Sequence, residues 1–245
     1  MKDSLKKKMK KLLAPNHYRV IIKTLLWPPF KLVSFGNLRR TAPISSRYGQ
    51  ERGTPIDRYY IEKFLDANKK DIAGHVLEMK DNGYTVCYGN QYVTKSDVLS
   101  KEHDNPQATI IADLTDADNI ISSDTFDCII CTSTLHYIYD VQSAVNTLYR
   151  ILKPGGILLA TVPVISMVDR STAPLYGDYW RFTDFAIKEL FSRVFKPEKL
   201  SIETHGNVLS ACSFLHGIAA EELKQKELDE KDIRYQMVIT IRAYK

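Results

Sequence analysis

Residues 126–163 constrain the fold more than any other stretch. They open with Phe126-Asp127-Cys128-Ile129-Ile130-Cys131-Thr132 and continue into the polar loop Ser133-Thr134-Leu135-His136-Tyr137-Ile138-Tyr139-Asp140. An apolar run of that length, bounded by polar residues, predicts a buried strand. After the loop, Val141, Ala144, Val145, Leu148, Ile151 and Leu152 share one helical face, and Asp140 stands where an N-cap would stand. Lys153-Pro154-Gly155-Gly156 then stops the helix and turns the chain into a second apolar run at 157–162. A strand–helix–strand crossover of this kind builds parallel sheets. The rest of the chain repeats the alternation. Strands are expected at 74–79, 91–96, 108–112, 200–204 and 235–243. Helices are expected from Ile61, after Thr183 as N-cap with a Phe182–Ile187 staple, and over 214–228.

Charge divides the chain in two. Residues 1–40 hold eleven Lys or Arg and one Asp, while the remaining 205 hold 23 basic and 28 acidic groups. The mildly acidic remainder argues against a nucleic-acid-binding core. At 4–13 the lysines cover one side of a helix whose other face carries Leu5, Met9, Leu12 and Leu13. That is a basic amphipathic pattern suited to an anionic membrane surface, and residues 1–35 are the candidate peripheral contact. No apolar run reaches the length of a transmembrane span. The cysteines Cys87, Cys128, Cys131 and Cys212 give no disulfide framework, so a reducing cytoplasm is expected, with the inner membrane surface as the place of any peripheral contact. Cys128 and Cys131 have CxxC spacing but lie three apart on a strand. They therefore face opposite ways and cannot share a metal, and no metal site is expected. We expect a basic appendage at 1–50 and one α/β domain at 51–245.

Several motifs together resemble class I S-adenosylmethionine-dependent methyltransferases of the type 11-like kind. They are the strand ending at Thr132, the Leu135-His136-Tyr137 loop and the Leu152-Lys153-Pro154-Gly155-Gly156 turn. The segment 52–65, which reads Arg-Gly-Thr-Pro-Ile-Asp-Arg-Tyr-Tyr-Ile-Glu-Lys-Phe-Leu, and the Tyr179-Trp180-Arg181-Phe182 cluster are similar to a subfamily associated with bacterial glycan and polysaccharide biosynthesis. The resemblance implies a Rossmann-like, mostly parallel seven-stranded sheet with helices on both faces and an antiparallel last strand. It implies S-adenosyl-L-methionine as cofactor. Glu78 would end the first strand before a glycine-rich loop, but Lys80 and Asn82 stand where its glycines usually stand, and a lysine there must swing its side chain outward. Asp97 lies nineteen positions beyond Glu78, the spacing of a ribose-binding carboxylate. Asp113 and Leu114 would meet the adenine, and Thr132 and Ser133 would line the cofactor at the end of the fourth strand.

His136 is the candidate general base, since a neutral imidazole can accept a hydroxyl proton near neutral pH. Arg52, Arg58, Tyr176, Tyr179 and Arg181 are acceptor-site candidates by position and chemistry. The expected reaction is methylation of an oxygen on a sugar or glycan intermediate, by alignment and proton removal. Two alternatives are methylation of a small metabolite or lipid, and a non-catalytic binding protein on a degenerate fold, for which Lys80 is the best support. The sequence leaves the oligomeric state open.

Overall fold

The computed structural model describes Pro28 and residues 31–245. The helix expected at 4–13 lies outside them, as does most of the candidate membrane contact at 1–35. The chain divides into two compact units, Met1–Ala42 and Pro43–Lys245. Within the first, a short helical turn spans Gly36–Leu38. Among the described residues, no helix is long and apolar enough to cross a membrane.

The second unit is built on the expected crossover. Its strands are β1 (Gly74–Met79), β2 (Val93–Ser100), β3 (Ile110–Ile111), β4 (Phe126–Thr132), β5 (Leu152–Pro163), β6 (Leu200–His205) and β7 (Val238–Tyr244). They form one seven-stranded sheet in the order β3-β2-β1-β4-β5-β7-β6, with β7 antiparallel to both neighbours and the other pairs parallel. This is the Rossmann-like arrangement expected from the sequence. Its helices are α1 (Ile56–Ala67), α2 (Gly83–Tyr88), α3 (Val141–Ile151), α4 (Ala173–Tyr176), α5 (Asp184–Ser192), α6 (Val208–His216) and α7 (Gln225–Asp229).

Strand β4 shows how the two faces are filled. Ile129 and Cys131 join the cluster containing Val145 and Leu148 of α3 and Ile187 and Phe191 of α5. Cys128 and Ile130 face the other way, into the cluster with Ile61 and Leu65 of α1. The period-2 alternation of a strand thus separates the two thiols, and both sulfurs are buried in apolar surroundings. The helix starts are fixed by caps. Asp140 accepts from Ser143 N (3.1 Å) and Thr183 accepts from Ala186 N (3.2 Å), with Phe182 and Ile187 buried in one cluster around the latter.

Several expected boundaries differ. Strand β2 does not stop at Ser96 but runs to Ser100, because Val98 and Leu99 are buried and pair with Glu78 and Met79 of β1. The single helix expected at 214–228 is instead α6, a short turn and α7. Gly217 ends α6 at φ 68°, and a Cβ there would meet Ser45 O at 2.3 Å. That close approach lets Ile44 N and Ser45 N donate to His216 O (2.8 and 3.2 Å). Finally, Pro43 to Gln50, grouped on sequence with the appendage, belongs to the unit that contains the sheet.

Candidate active site

The carboxyl ends of β1, β2, β4 and β5 open into one cavity of about 1160 Å³. From β1 the sheet runs outward to β3, and from β4 it runs outward the other way. The cavity therefore sits at the switch point, where open α/β sheets bind ligands. Its volume exceeds the roughly 300–1,000 Å³ of pockets for one small molecule, so it has room for a cofactor and an acceptor.

One half is built from the loops after β1, β2 and β3. Glu78 is 3% exposed, and its carboxylate accepts from Tyr84 N (3.0 Å), Thr85 N (2.7 Å) and Thr85 Oγ1 (2.7 Å), closing the first turn of α2. Burial pushes its carboxyl above the usual range. Lys80 has φ 74°, the left-handed conformation a glycine would adopt without strain. Its side chain is exposed, its N–H donates to Leu99 O (2.8 Å), and its carbonyl accepts from Asn105 Nδ2 (2.7 Å). The loop thus keeps the glycine-type backbone with a lysine in place. Asn82 corrects the expectation: it sits at φ −116° as the N-cap of α2 and does not line the cavity. Asp113 and Leu114 do line it. Burial pushes the Asp113 carboxyl up, but Lys101 at 2.7 Å and the amide and hydroxyl of Thr115 hold it below the usual carboxylate range.

Asp97 is not at this site. It lies within β2 opposite Leu77, with its carboxylate buried against His75 Nε2 (2.6 Å) and Lys95 Nζ (2.8 Å). The misplaced strand end explains the error: Ser100 and Lys101 occupy the strand terminus and line the cavity in its stead.

The loop after β4 supplies the centre. Thr132 and Ser133 line the cavity, and Ser133, at φ 44°, turns the chain while its N–H donates to Thr161 O (2.9 Å). A helical turn at Leu135–Tyr137 follows. His136 on it lines the cavity yet is only 6% exposed, and its Nδ1 has no hydrogen-bond partner. Burial lowers its pKa to about 4, and the neighbouring Asp178 opposes this incompletely. The imidazole is therefore neutral at pH 7.

The far half is rich in tyrosine. Tyr48, Tyr137, Tyr139, Tyr176 and Tyr179 line it with Asp57, Arg58 and Asp169. Arg58 is hydrogen-bonded to the Tyr84 hydroxyl. Burial and a hydrogen bond to Glu102 push the Tyr176 phenol up to about 12, and burial with the nearby Asp169 raises that of Tyr48. Two expected acceptor residues are elsewhere. Arg52 is paired with Glu222 at the surface. Arg181 is held by Asp178 (2.5 Å) and Met167 O (2.5 Å), so its charge ties down its own loop. Tyr48 lies in a stretch, residues 36–60, rich in arginine (Arg39, Arg40, Arg47, Arg52, Arg58) and tyrosine (Tyr48, Tyr59, Tyr60), a pattern that could have pointed to it, and Tyr137 and Tyr139 lie on the same loop as His136. Asp169 carries no local signal.

Residues 73–160 match a family model described as a methyltransferase domain. A methyltransferase structure from Archaeoglobus fulgidus, titled as S-adenosylmethionine-dependent, is 12% identical with a TM-score of 0.51, covering 77% of this chain and 94% of its own. A similarly titled structure from Mesorhizobium loti is 14% identical with a TM-score of 0.50, covering 78% and 98%. At those identities the likeness is one of fold. The matched segment thus resembles a methyltransferase domain, and the fold is similar to that of these methyltransferase structures, as the sequence led us to expect. Among curated proteins, "Probable polyketide synthase 10" of Dictyostelium discoideum is 34% identical over 64 residues, which is 26% of this chain and 3% of that protein. The chain thus spans only a few per cent of the length of the curated relatives it matches.

Proposed function

We propose that this chain methylates a hydroxyl group of a sugar or glycan acceptor, using S-adenosyl-L-methionine, with His136 as general base. The observation that carries the reading is His136 itself: an imidazole held neutral by burial in the wall of the cavity. The residues present fit the cofactor. The loop after β1 keeps its left-handed turn at Lys80, and Asp113, Leu114, Thr132 and Ser133 offer a carboxylate, an apolar wall and hydroxyls along one side of the cavity. Ser100 and Lys101 take the place at the end of β2 expected for Asp97. When bound, the cofactor supplies an electrophilic methyl carbon on a positively charged sulfur.

The protein's own part is alignment and proton removal. The tyrosine-lined half holds the acceptor so that its hydroxyl points at His136, and the imidazole takes the proton as the oxygen becomes nucleophilic and bonds to the methyl carbon. With Arg52 and Arg181 engaged in internal ion pairs and Arg58 hydrogen-bonded to the Tyr84 hydroxyl beside Asp57, this half suits an uncharged polyhydroxyl acceptor better than a phosphorylated one. Calorimetric titration with S-adenosylmethionine and S-adenosylhomocysteine tests the first step, and a folded protein that binds neither sinks the enzyme reading. Methyl transfer from labelled cofactor tests the second, with His136→Gln expected to lose it by about 10²-fold or more. We also propose that the lysine-rich residues 1–35 bring the enzyme to anionic membranes, which fails if the full chain stays in solution during liposome flotation.

A further inference from the structure

Three aromatic rings stand open at the rim of the cavity: Tyr139 (71% exposed), Tyr179 (52%) and Trp180 (38%). They form one aromatic cluster, with Tyr139 stacked on Trp180. Tyr139 and Trp180 lie 5.8 Å apart at 28°, and Tyr139 and Tyr179 lie 5.4 Å apart edge to face. The cluster is also held in place. Trp180 Nε1 donates to the carbonyls of Ile138 (3.0 Å) and Tyr139 (3.2 Å), and the Tyr179 and Trp180 amides donate to His136 O (2.9 and 3.3 Å). The turn that carries His136 therefore carries the platform too. Tyr139 and Tyr179 line the cavity as well, so the exposed face continues directly from its interior.

An ordered aromatic face left in water is a recognition surface, because its exposure is otherwise unfavourable. Its occupant must offer a flat apolar face and must be reachable from a group held beside His136. The adjacent cation, Arg181, is neutralised by Asp178, whose side chain is 1% exposed, so the rim offers no free charge from that residue to a phosphate. A sugar ring meets these conditions: one face is apolar C–H surface and its edge carries hydroxyls.

Resting on the glycan reading of the cavity, we infer that the Tyr139–Tyr179–Trp180 platform is a subsite for a second sugar ring, and that the acceptor is an uncharged oligosaccharide whose terminal ring enters the cavity. The chemistry at His136 is unchanged; the platform sets which acceptors reach it.

The test measures labelled methyl transfer from S-adenosylmethionine to a printed array of neutral, amino-bearing and phosphorylated glycans of one to six rings, followed by kinetics on those that react. Neutral glycans of two or more rings should react with a KM roughly fivefold to tenfold below that of the matching monosaccharide, the scale of one aromatic stacking contact. Tyr139→Ala should abolish that difference by raising the oligosaccharide KM, and Tyr139→Phe should restore it. The dissociation constant of S-adenosylhomocysteine should not move in either variant, which also reports that the domain is folded. If sugars are methylated but Tyr139→Ala leaves the oligosaccharide KM unchanged, the platform inference falls alone. If only phosphorylated glycans react, it falls because the acceptor is an anion. If no glycan reacts while the cofactor binds, the glycan reading fails and takes the inference with it.

Discussion

His136, the proposed base, and Lys80, in the loop after β1, each yield a prediction at the residue scale. Burial holds the His136 pKa at about 4, below its ordinary 6.5. If His136 is the proposed base, its active form is neutral and activity should be lost only as pH falls through the lowered value. The acid limb of kcat/KM should therefore lie near pH 4 to 5, and a limb centred at 6.5 would contradict the buried base. The same shift is linked to stability. Between the folded value and 6.5 the unfolded chain binds the extra proton, so stability is full above 6.5 and declines as pH falls toward 4. His205, also lowered to about 4 by burial, adds to this. His136→Gln should flatten part of the decline, as measured by denaturant unfolding at pH 7 and pH 5. Lys80 holds a left-handed backbone at φ 74°, which an L-residue adopts at a cost of roughly 1–2 kcal/mol. Lys80→Gly removes that strain but adds entropy to the unfolded chain, so a net gain of about 0.5–1 kcal/mol and a melting point higher by a few degrees are expected. A melting point that drops would mean that the lysine side chain supports the loop.

At the scale of elements, periodicity made the β4–α3–β5 crossover legible, together with the Asp140 and Thr183 caps and the alternation of Cys128 and Cys131. Short-range rules govern all of these, and they survived folding. What failed was what depends on a neighbour. The end of β2 is fixed by pairing with β1, which no single segment announces, and the misplaced end carried Asp97 out of the site. Arg52 looked like a ligand-binding cation, but Glu222 is 170 positions away and only the fold brings the two together; Arg181 is instead taken by Asp178 three positions before it, a local pair that the charge pattern alone did not single out. His136, Asp113 and the Lys80 loop were legible because each follows directly from a strand that periodicity located well. Strand register thus yields a discriminating variant. Asp97→Ala removes a buried carboxylate that His75 and Lys95 donate to, so it should destabilise the domain by about 1–3 kcal/mol. It should leave the dissociation constant for S-adenosylhomocysteine within about twofold, since Asp97 is not in the cavity wall. A variant of near-native stability that no longer binds would return Asp97 to the ribose.

For the molecule as a whole, the cavity is an electrostatic object as well as a shape. Its wall carries Asp57, Glu62, Glu78, Asp81, Asp113, Asp140 and Asp169 against Arg58, Lys80 and Lys101. Lys101 is already spent on Asp113, and Arg58 lies between Asp57 and Glu62 on α1. The wall is therefore acidic, and such a cavity attracts a cation more than a neutral molecule of the same shape. S-adenosylmethionine carries a sulfonium charge that S-adenosylhomocysteine lacks, so the two ligands report the field directly. Raising the salt concentration screens the attraction, over about 8 Å at physiological ionic strength. The affinity for S-adenosylmethionine should thus weaken with salt more steeply than that for S-adenosylhomocysteine, and equal slopes would show that the carboxylates do not act on the sulfur. Binding also links to folding, because the cavity is formed by strand ends that only the complete sheet brings together. At a hundredfold excess over its dissociation constant, a ligand of the native state adds about 2.7 kcal/mol of stability. For a chain of this size that corresponds to a rise in melting temperature of roughly 5–10 °C. A melting temperature that does not move at saturating S-adenosylmethionine would mean that the sheet builds the cavity without the cofactor site.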